Sequence, residues 1–170
     1  MSRAQRTKQY RDLVKQGWSR KFWSFINEYP DRYWNWQYLS KNPNITMEII
    51  NENPGKPWNW YWISANKNLT WDIIIENLDK SLDWRDISVN PNITWDIIKD
   101  NPDKPWDWGF ISNNPNITWD IIKDNLDKPW NWGVIINHPN INKDIIIENL
   151  DKISHLFQPW VWNWISQSKK

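Results

Sequence analysis

The chain has no cysteine, which excludes disulfide staples and thiolate metal sites. It has only four glycines, and none falls in a G-x-x-x-x-G-K-[ST] or G-x-G-x-x-G frame, so no phosphate-cradling loop is written. Histidine is scarce too. His138 and His155 stand apart, and no nucleophile–base–orienter set can be assembled around either without arbitrary choices. The sequence therefore predicts no enzyme, no catalytic residue, no metal ligand and no cofactor. Alanine occurs only at Ala4 and Ala65 while Asn, Ile, Lys and Asp abound, a bias that suits an AT-rich genome. No apolar run is long enough for a signal peptide or a membrane span. An intracellular protein without a membrane partner is the expectation.

Net charge is also nearly missing, at +1, so whole-molecule electrostatics select no partner. The distribution is uneven. Residues 1–21 carry Arg3, Arg6, Lys8, Arg11, Lys15, Arg20 and Lys21 against Asp12 alone, and the body behind them is mildly acidic. Tyr10, Leu13, Val14 and Trp18 recur close to helical spacing. Together these predict a basic amphipathic helix that caps the first repeat, as the open end of a solenoid requires. If nucleic acid were the partner, Arg3, Arg6, Lys8, Arg11 and Lys15 would be the phosphate contacts.

What the chain has in excess is tryptophan, 18 in 170 residues, and each Trp can remove roughly 150–250 Å² from water. It also repeats. The stretch Asn90–Asn113 begins again at Asn114, and 24-residue steps reach Asn66, Asn42 and His138. Such a period predicts stacked supersecondary units, none able to bury its apolar face alone. The fold expected is all-α: a single α-solenoid domain over 1–170. Its parts are the capping helix 1–21, a degenerate first unit 22–41, the repeats 42–152 and an irregular C-terminal half-repeat 153–170.

Each unit has two halves. In the first, N-I-T-W-D-I-I-x-[ED]-N, the cap positions Thr46, Thr70, Thr94, Thr118 and Asn142 precede a short helix. An acid follows in its first turn (Glu48, Asp72, Asp96, Asp120, Asp144), favourable at the positive helix end. Trp71, Ile74, Ile75 and Leu78 fall at i, i+3, i+4 and i+7, the pattern of one buried face. In the second half, D-K-P-W-x-W-x-x-I-S, Pro57, Pro105 and Pro129 suit a first helical turn. Trp58, Trp60 and Trp62 alternate as in a strand, and Gly109 and Gly133 weaken a helix, but the Pro and the following Ile-Ser favour an α or 3-10 helix. Leu82 replaces the first Trp once, so the second Trp is the expected core anchor: Trp36, Trp60, Trp84, Trp108, Trp132 and, after an insertion of residues 153–158, Trp162. Asn at both turns (Asn44, Asn68, Asn92, Asn116 and Asn140; Asn53, Asn77, Asn101, Asn125 and Asn149) suits internal bonding of turn backbone. His138 replaces the Asn of Asn42, Asn66, Asn90 and Asn114, and a capping or surface role is expected for both histidines.

The Asn90-Pro91-Asn92-Ile93-Thr94 and Asn101-Pro102-Asp103 turns resemble those of the leucine-rich repeat variant family. That resemblance implies units of an α-helix and a second α or 3-10 helix in a right-handed superhelix. The wording N-P-N-I-T-W-D-I-I with W-[DN]-W, over about residues 22–166, resembles the Trp-rich repeat proteins of giant, mimivirus-type DNA viruses. It implies a source and a scaffold, with the host cytoplasm or virion as location, and no activity.

Fixed positions are explained by folding, so binding is sought where the copies differ. The pair after the second Trp varies most, and Tyr38, Tyr61, Trp62, Arg85, Asp86, Phe110 and Trp164 are the candidate partner contacts. Tyr, Trp and Arg are common interface anchors. A protein partner, host or viral, is expected. Nucleic acid is the second reading and the weaker one, because each W-x-W has Asp or Asn beside it (Asp107, Asn131, Asn59) and lacks cations to neutralise phosphate.

Overall fold

The computed structural model describes residues 2–156, 159, 162 and 163. They are all-helical, with no strand among the described residues. Two compact units divide the chain, Met1–Asp83 and Trp84–Lys170. In the first lie α1 (Arg3–Glu28), α2 (Trp36–Lys41), α3 (Met47–Glu52), α4 (Trp60–Ile63) and α5 (Trp71–Glu76). In the second lie α6 (Trp84–Val89), α7 (Trp95–Asp100), α8 (Trp108–Ile111), α9 (Trp119–Lys123), α10 (Trp132–Ile135), α11 (Lys143–Glu148) and α12 (Leu150–Ile153), with a 3-10 turn at Ser154–Leu156. Both helix types restart every 24 residues, one series at the second Trp of W-x-W and the other just after the Thr or Asn cap.

Capping explains why so short a run is helical at all. Isolated helices of this length do not hold in water, so the end groups must be satisfied locally. Thr46, Thr94 and Thr118 accept from the N–H three residues on, and Asn142 accepts from Asp144 N–H. Thr70 makes no such side-chain bond. At the other end Asn53, Asn77, Asn101, Asn125 and Asn149 each donate Nδ2 to the carbonyl four residues back, at 2.7–2.9 Å. Leu78 lies beyond the C-cap Asn77, so it cannot share the buried face of Ile74, and it and Ile75 are exposed.

The second series corrects the placement of proline. Pro57, Pro105 and Pro129 precede their helices rather than open them; the chain makes a tight turn around each, as in Trp58 N–H to Lys56 carbonyl at 2.8 Å. A fixed proline φ suits that inverse γ-turn. The helix starts at the second Trp because the residue between the two Trps is the cap. Asn35, Asn59, Asp107 and Asn131 accept from the N–H of Tyr38, Trp62, Phe110 and Val134. These side chains are therefore spent on backbone. The helices are α, with Ser64 N–H reaching Trp60 carbonyl at 3.1 Å.

The core belongs to isoleucine. Ile45, Leu69, Ile93 and Ile117, then Ile63, Ile87, Ile111 and Ile135, then Ile74, Ile122 and Ile146 have no exposed surface. Each such residue contributes about 1.5–3 kcal/mol of burial. The expected Trp anchors are shallower. Trp132 is buried, Trp36, Trp60, Trp84 and Trp108 are half-buried, and Trp162 is 45% exposed. The Trp rings pack on one another as well. Trp36–Trp58, Trp84–Trp106 and Trp108–Trp130 meet edge to face with centroids 5.0–5.2 Å apart, a favoured geometry. The first Trp also bonds: the indole N–H of Trp58, Trp106 and Trp130 donates to the carbonyl of the Asn five residues earlier, at 2.7–2.8 Å.

Buried polar side chains tie one repeat to the next. In the first unit Asn66 Nδ2 donates to the carbonyls of Ser40, Asn42 and Ile45 at 2.9–3.1 Å, and its Oδ1 accepts from Asn68 N–H. Asn114 does the same in the second unit with Ser88, Asn90, Ile93 and Asn116. Ser40, Ser64, Ser88 and Ser112 donate to their own helix and accept from the N–H of Asn59, Asp83, Asp107 and Asn131. Ile136 stands in the next Ser position and cannot accept. The six-residue insertion of 153–158 begins 17 residues later, where the register breaks.

Helix α1 absorbs the start of the degenerate first unit expected over 22–41. No Thr or Asn cap precedes Phe22, so the helix runs on through it to Glu28. It meets the first unit through Ser19, Trp23 and Ile26, with Trp23 5.6 Å from Trp58. Tyr10, Leu13, Val14 and Trp18, the stripe expected to pack, are exposed.

Candidate functional site

The variable positions fall on the second helix series, one residue or two past its first residue. In the first unit this places Tyr38 on α2 and Tyr61 and Trp62 on α4, and α2 packs directly on α4. Lys41, at the end of α2, joins them. Its ammonium lies 4.8 Å from the Tyr38 ring centre and 4.4 Å from that of Trp62, and Tyr61 meets Trp62 edge to face at 5.8 Å. Tyr38 is 64% exposed and Tyr61 40%. A cation held over two rings is attracted by their quadrupoles. The patch offers aromatic edges around a positive charge, a surface suited to a partner with carboxylate and apolar groups together. Lys41 carried no signal in the sequence, since it is polar and sits outside the variable pair; only its i+3 relation to Tyr38 could have found it.

In the second unit, Arg85 and Asp86 lie on α6 and Phe110 on α8, which pack together. Phe110 and Arg85 are exposed and Asp86 is half-buried. Trp164 lies outside the described residues. Arg3, Arg6, Lys8 and Arg11 are exposed along α1, and Lys15 donates to Asn68 Oδ1 at 3.0 Å.

His138 is neither a cap nor a surface group. It is buried at 3% exposure, its Nε2 lies 3.0 Å from the Asn114 carbonyl and its Nδ1 accepts from Asn140 N–H at 3.2 Å. The two partners assign the neutral tautomer with the proton on Nε2. The imidazole thus copies the amide it replaces, donor for Nδ2 and acceptor for Oδ1. His155 is exposed. Among the described residues no group of His, Asp and Glu is placed to hold a metal ion. The acidic positions pair locally instead: Asp79, Asp103 and Asp127 each meet the following lysine at 2.8–3.0 Å. The hydrogen bond from that lysine holds each carboxyl below its ordinary value. Among the described residues no helix is long and apolar enough to cross a membrane.

The fold and its surface define a class, a tryptophan-rich all-helical repeat protein. No family model, curated protein or solved structure matches the chain.

Proposed function

We propose that this chain is a non-enzymatic scaffold that binds a protein partner, with its repeats stacked as an α-solenoid that α1 caps. The observation that carries the reading is a division of labour within the repeat. Positions shared by the copies go into caps, aliphatic columns and repeat-to-repeat hydrogen bonds, whereas Tyr38, Tyr61 and Phe110, at positions that differ, are exposed. Large exposed aromatics cost solubility unless a partner covers them. The wording of the repeat supports a giant-virus origin, with a host or viral protein as partner.

The test is capture from the native or infected cell with tagged wild-type chain and with Tyr61→Ala plus Trp62→Ala. Both positions vary among the copies, so circular dichroism should be unchanged while the captured partner is lost. Undiminished capture by the folded double variant would remove this surface from the reading.

A second reading rests on the exposed cations Arg3, Arg6, Lys8 and Arg11 of α1, which suit a nucleic-acid-associated or packaging role. It requires single-stranded DNA binding that falls with salt and disappears in Arg6→Glu plus Arg11→Glu.

A further inference from the structure

Helix α1 meets the first unit on one side only. Ser19 and Ile26 are buried there, and Trp23 stands against Trp58. Nine residues, about two and a half turns, separate Tyr10 from Ser19, so the two point to opposite sides of the helix. Leu13, Val14 and Trp18 fall within about 80° of Tyr10 around the axis. All four are exposed, Tyr10 by 70% and Trp18 by 65%. Arg3, Arg6 and Lys21 share this outward side, whereas Asp12, the only acid ahead of Glu28 at the helix end, projects from the other.

Beside the stripe, donors converge. Arg11, Lys15 and Asn44 line a shallow cavity of about 360 Å³ together with Tyr10, Val14 and Trp18, and no acid lines it. Asn44 is the first of its series. Its equivalents Asn68, Asn116 and Asn140 each give Nδ2 to carbonyls of the preceding repeat. No such repeat precedes Asn44, and among the described residues its Nδ2 has no partner. Arg11 and Lys15 meet no carboxylate among those residues either.

These features select the occupant. A ridge of aliphatic and aromatic side chains calls for an apolar phase, and the cations and amide beside it call for an anion at its edge. Single-stranded nucleic acid would use the cations and the two rings but leave Leu13 and Val14 in water. A second copy would set arginine against arginine with no acid to relieve them. A protein would need an acid-lined trough shaped to this ridge. An anionic bilayer supplies hydrocarbon and phosphate in adjacent layers with no shape to match. Trp and Tyr favour that boundary, and Arg3, Arg6 and Lys21 are long enough to reach phosphate from within the stripe.

We propose that α1 lies on an anionic membrane surface, with Tyr10, Leu13, Val14 and Trp18 at the acyl boundary and a lipid phosphate at Arg11, Lys15 and Asn44. The sequence expectation of no membrane partner rests on the lack of a spanning run, and a helix that lies in the interface needs none.

The experiment floats the full chain with vesicles of phosphatidylcholine alone and with vesicles containing about a third phosphatidylserine. Binding to the anionic vesicles is expected to be tighter by about tenfold or more. Leu13→Gln plus Trp18→Gln replaces two exposed side chains, so circular dichroism should be unchanged while vesicle binding falls about tenfold or more. Arg11→Gln plus Asn44→Ala should weaken binding to the anionic vesicles about fivefold or more. No flotation, equal affinity for the two vesicle types, or undiminished binding by either folded variant would overturn the proposal. So would binding of oligothymidylate or polyglutamate without binding of vesicles. Tyr61 and Trp62 lie on α4, off this face, so this outcome and the partner-capture outcome stand or fall separately.

Discussion

An asparagine amide at position 66 or 114 serves three backbone carbonyls of the preceding repeat and one N–H of its own turn at once. Asn114→Ala should lower unfolding free energy by about 2–4 kcal/mol, because buried groups lose partners with no water to replace them; urea denaturation reads this directly. His138 supplies only part of that set, so His138→Asn should leave stability equal or higher. Nitrogen-15 NMR of the wild type should show the Nε2–H tautomer. The opposite case is Ser19, whose buried hydroxyl has no hydrogen-bond partner among the described residues. Ser19→Ala should be neutral or stabilising by up to about 1 kcal/mol. Charge at this scale counts for little. Asp79, Asp103 and Asp127 have depressed folded-state values, so their contribution is present above the ordinary aspartate value and disappears as pH falls through the folded one. All three are fully solvated, so Lys128→Gln should raise the Asp127 titration seen by NMR without a measurable change in stability at neutral pH.

At the scale of the helix, legibility was uneven for physical reasons. The Thr caps and the stopping Asn positions were readable because a capping side chain acts within a few residues of its own place in the chain. The start of the second helix was misplaced at Pro57 and its equivalents, since proline is compatible with a first turn and with the tight turn before one; the Asn or Asp between the Trps decided it. Trp62 alternates with Trp58 and Trp60 as a strand would, yet it sits on a helix for the same reason. Burial was the hardest to read. Composition pointed to indole anchors, but the residues with no exposed surface are aliphatic, and Trp36, Trp60, Trp84 and Trp108 are only half-buried. The aromatic cluster around Lys41 was half legible: Tyr38, Tyr61 and Trp62 stood out by variation, while the lysine between two of them is a product of packing α2 on α4. Ile111→Ala should therefore cost more than Trp108→Phe, about 2–5 kcal/mol from cavity formation, measured by thermal or urea unfolding.

Within each unit, the ties between repeats are written at fixed offsets, Asn to carbonyls 21–26 residues back and Ser to the N–H 19 residues on. Removing residues 90–113 joins Val89 to Asn114 and keeps the 24-residue period, with Ser88 again 19 residues before an N–H, that of Asn131. That shortened chain should fold with unchanged helicity per residue and a lower melting temperature, as expected where stability sums over neighbouring repeats. Removing 12 residues instead would set a Trp helix where a Thr-capped one belongs, and should abolish cooperative unfolding. Circular dichroism melts of both chains distinguish these outcomes.

Because the buried amides and hydroxyls address main-chain atoms alone, they impose no spelling on the letters that face outward. A frame of this kind can be lengthened by copying and its outer face rewritten copy by copy, until an isoleucine such as Ile136 closes the series.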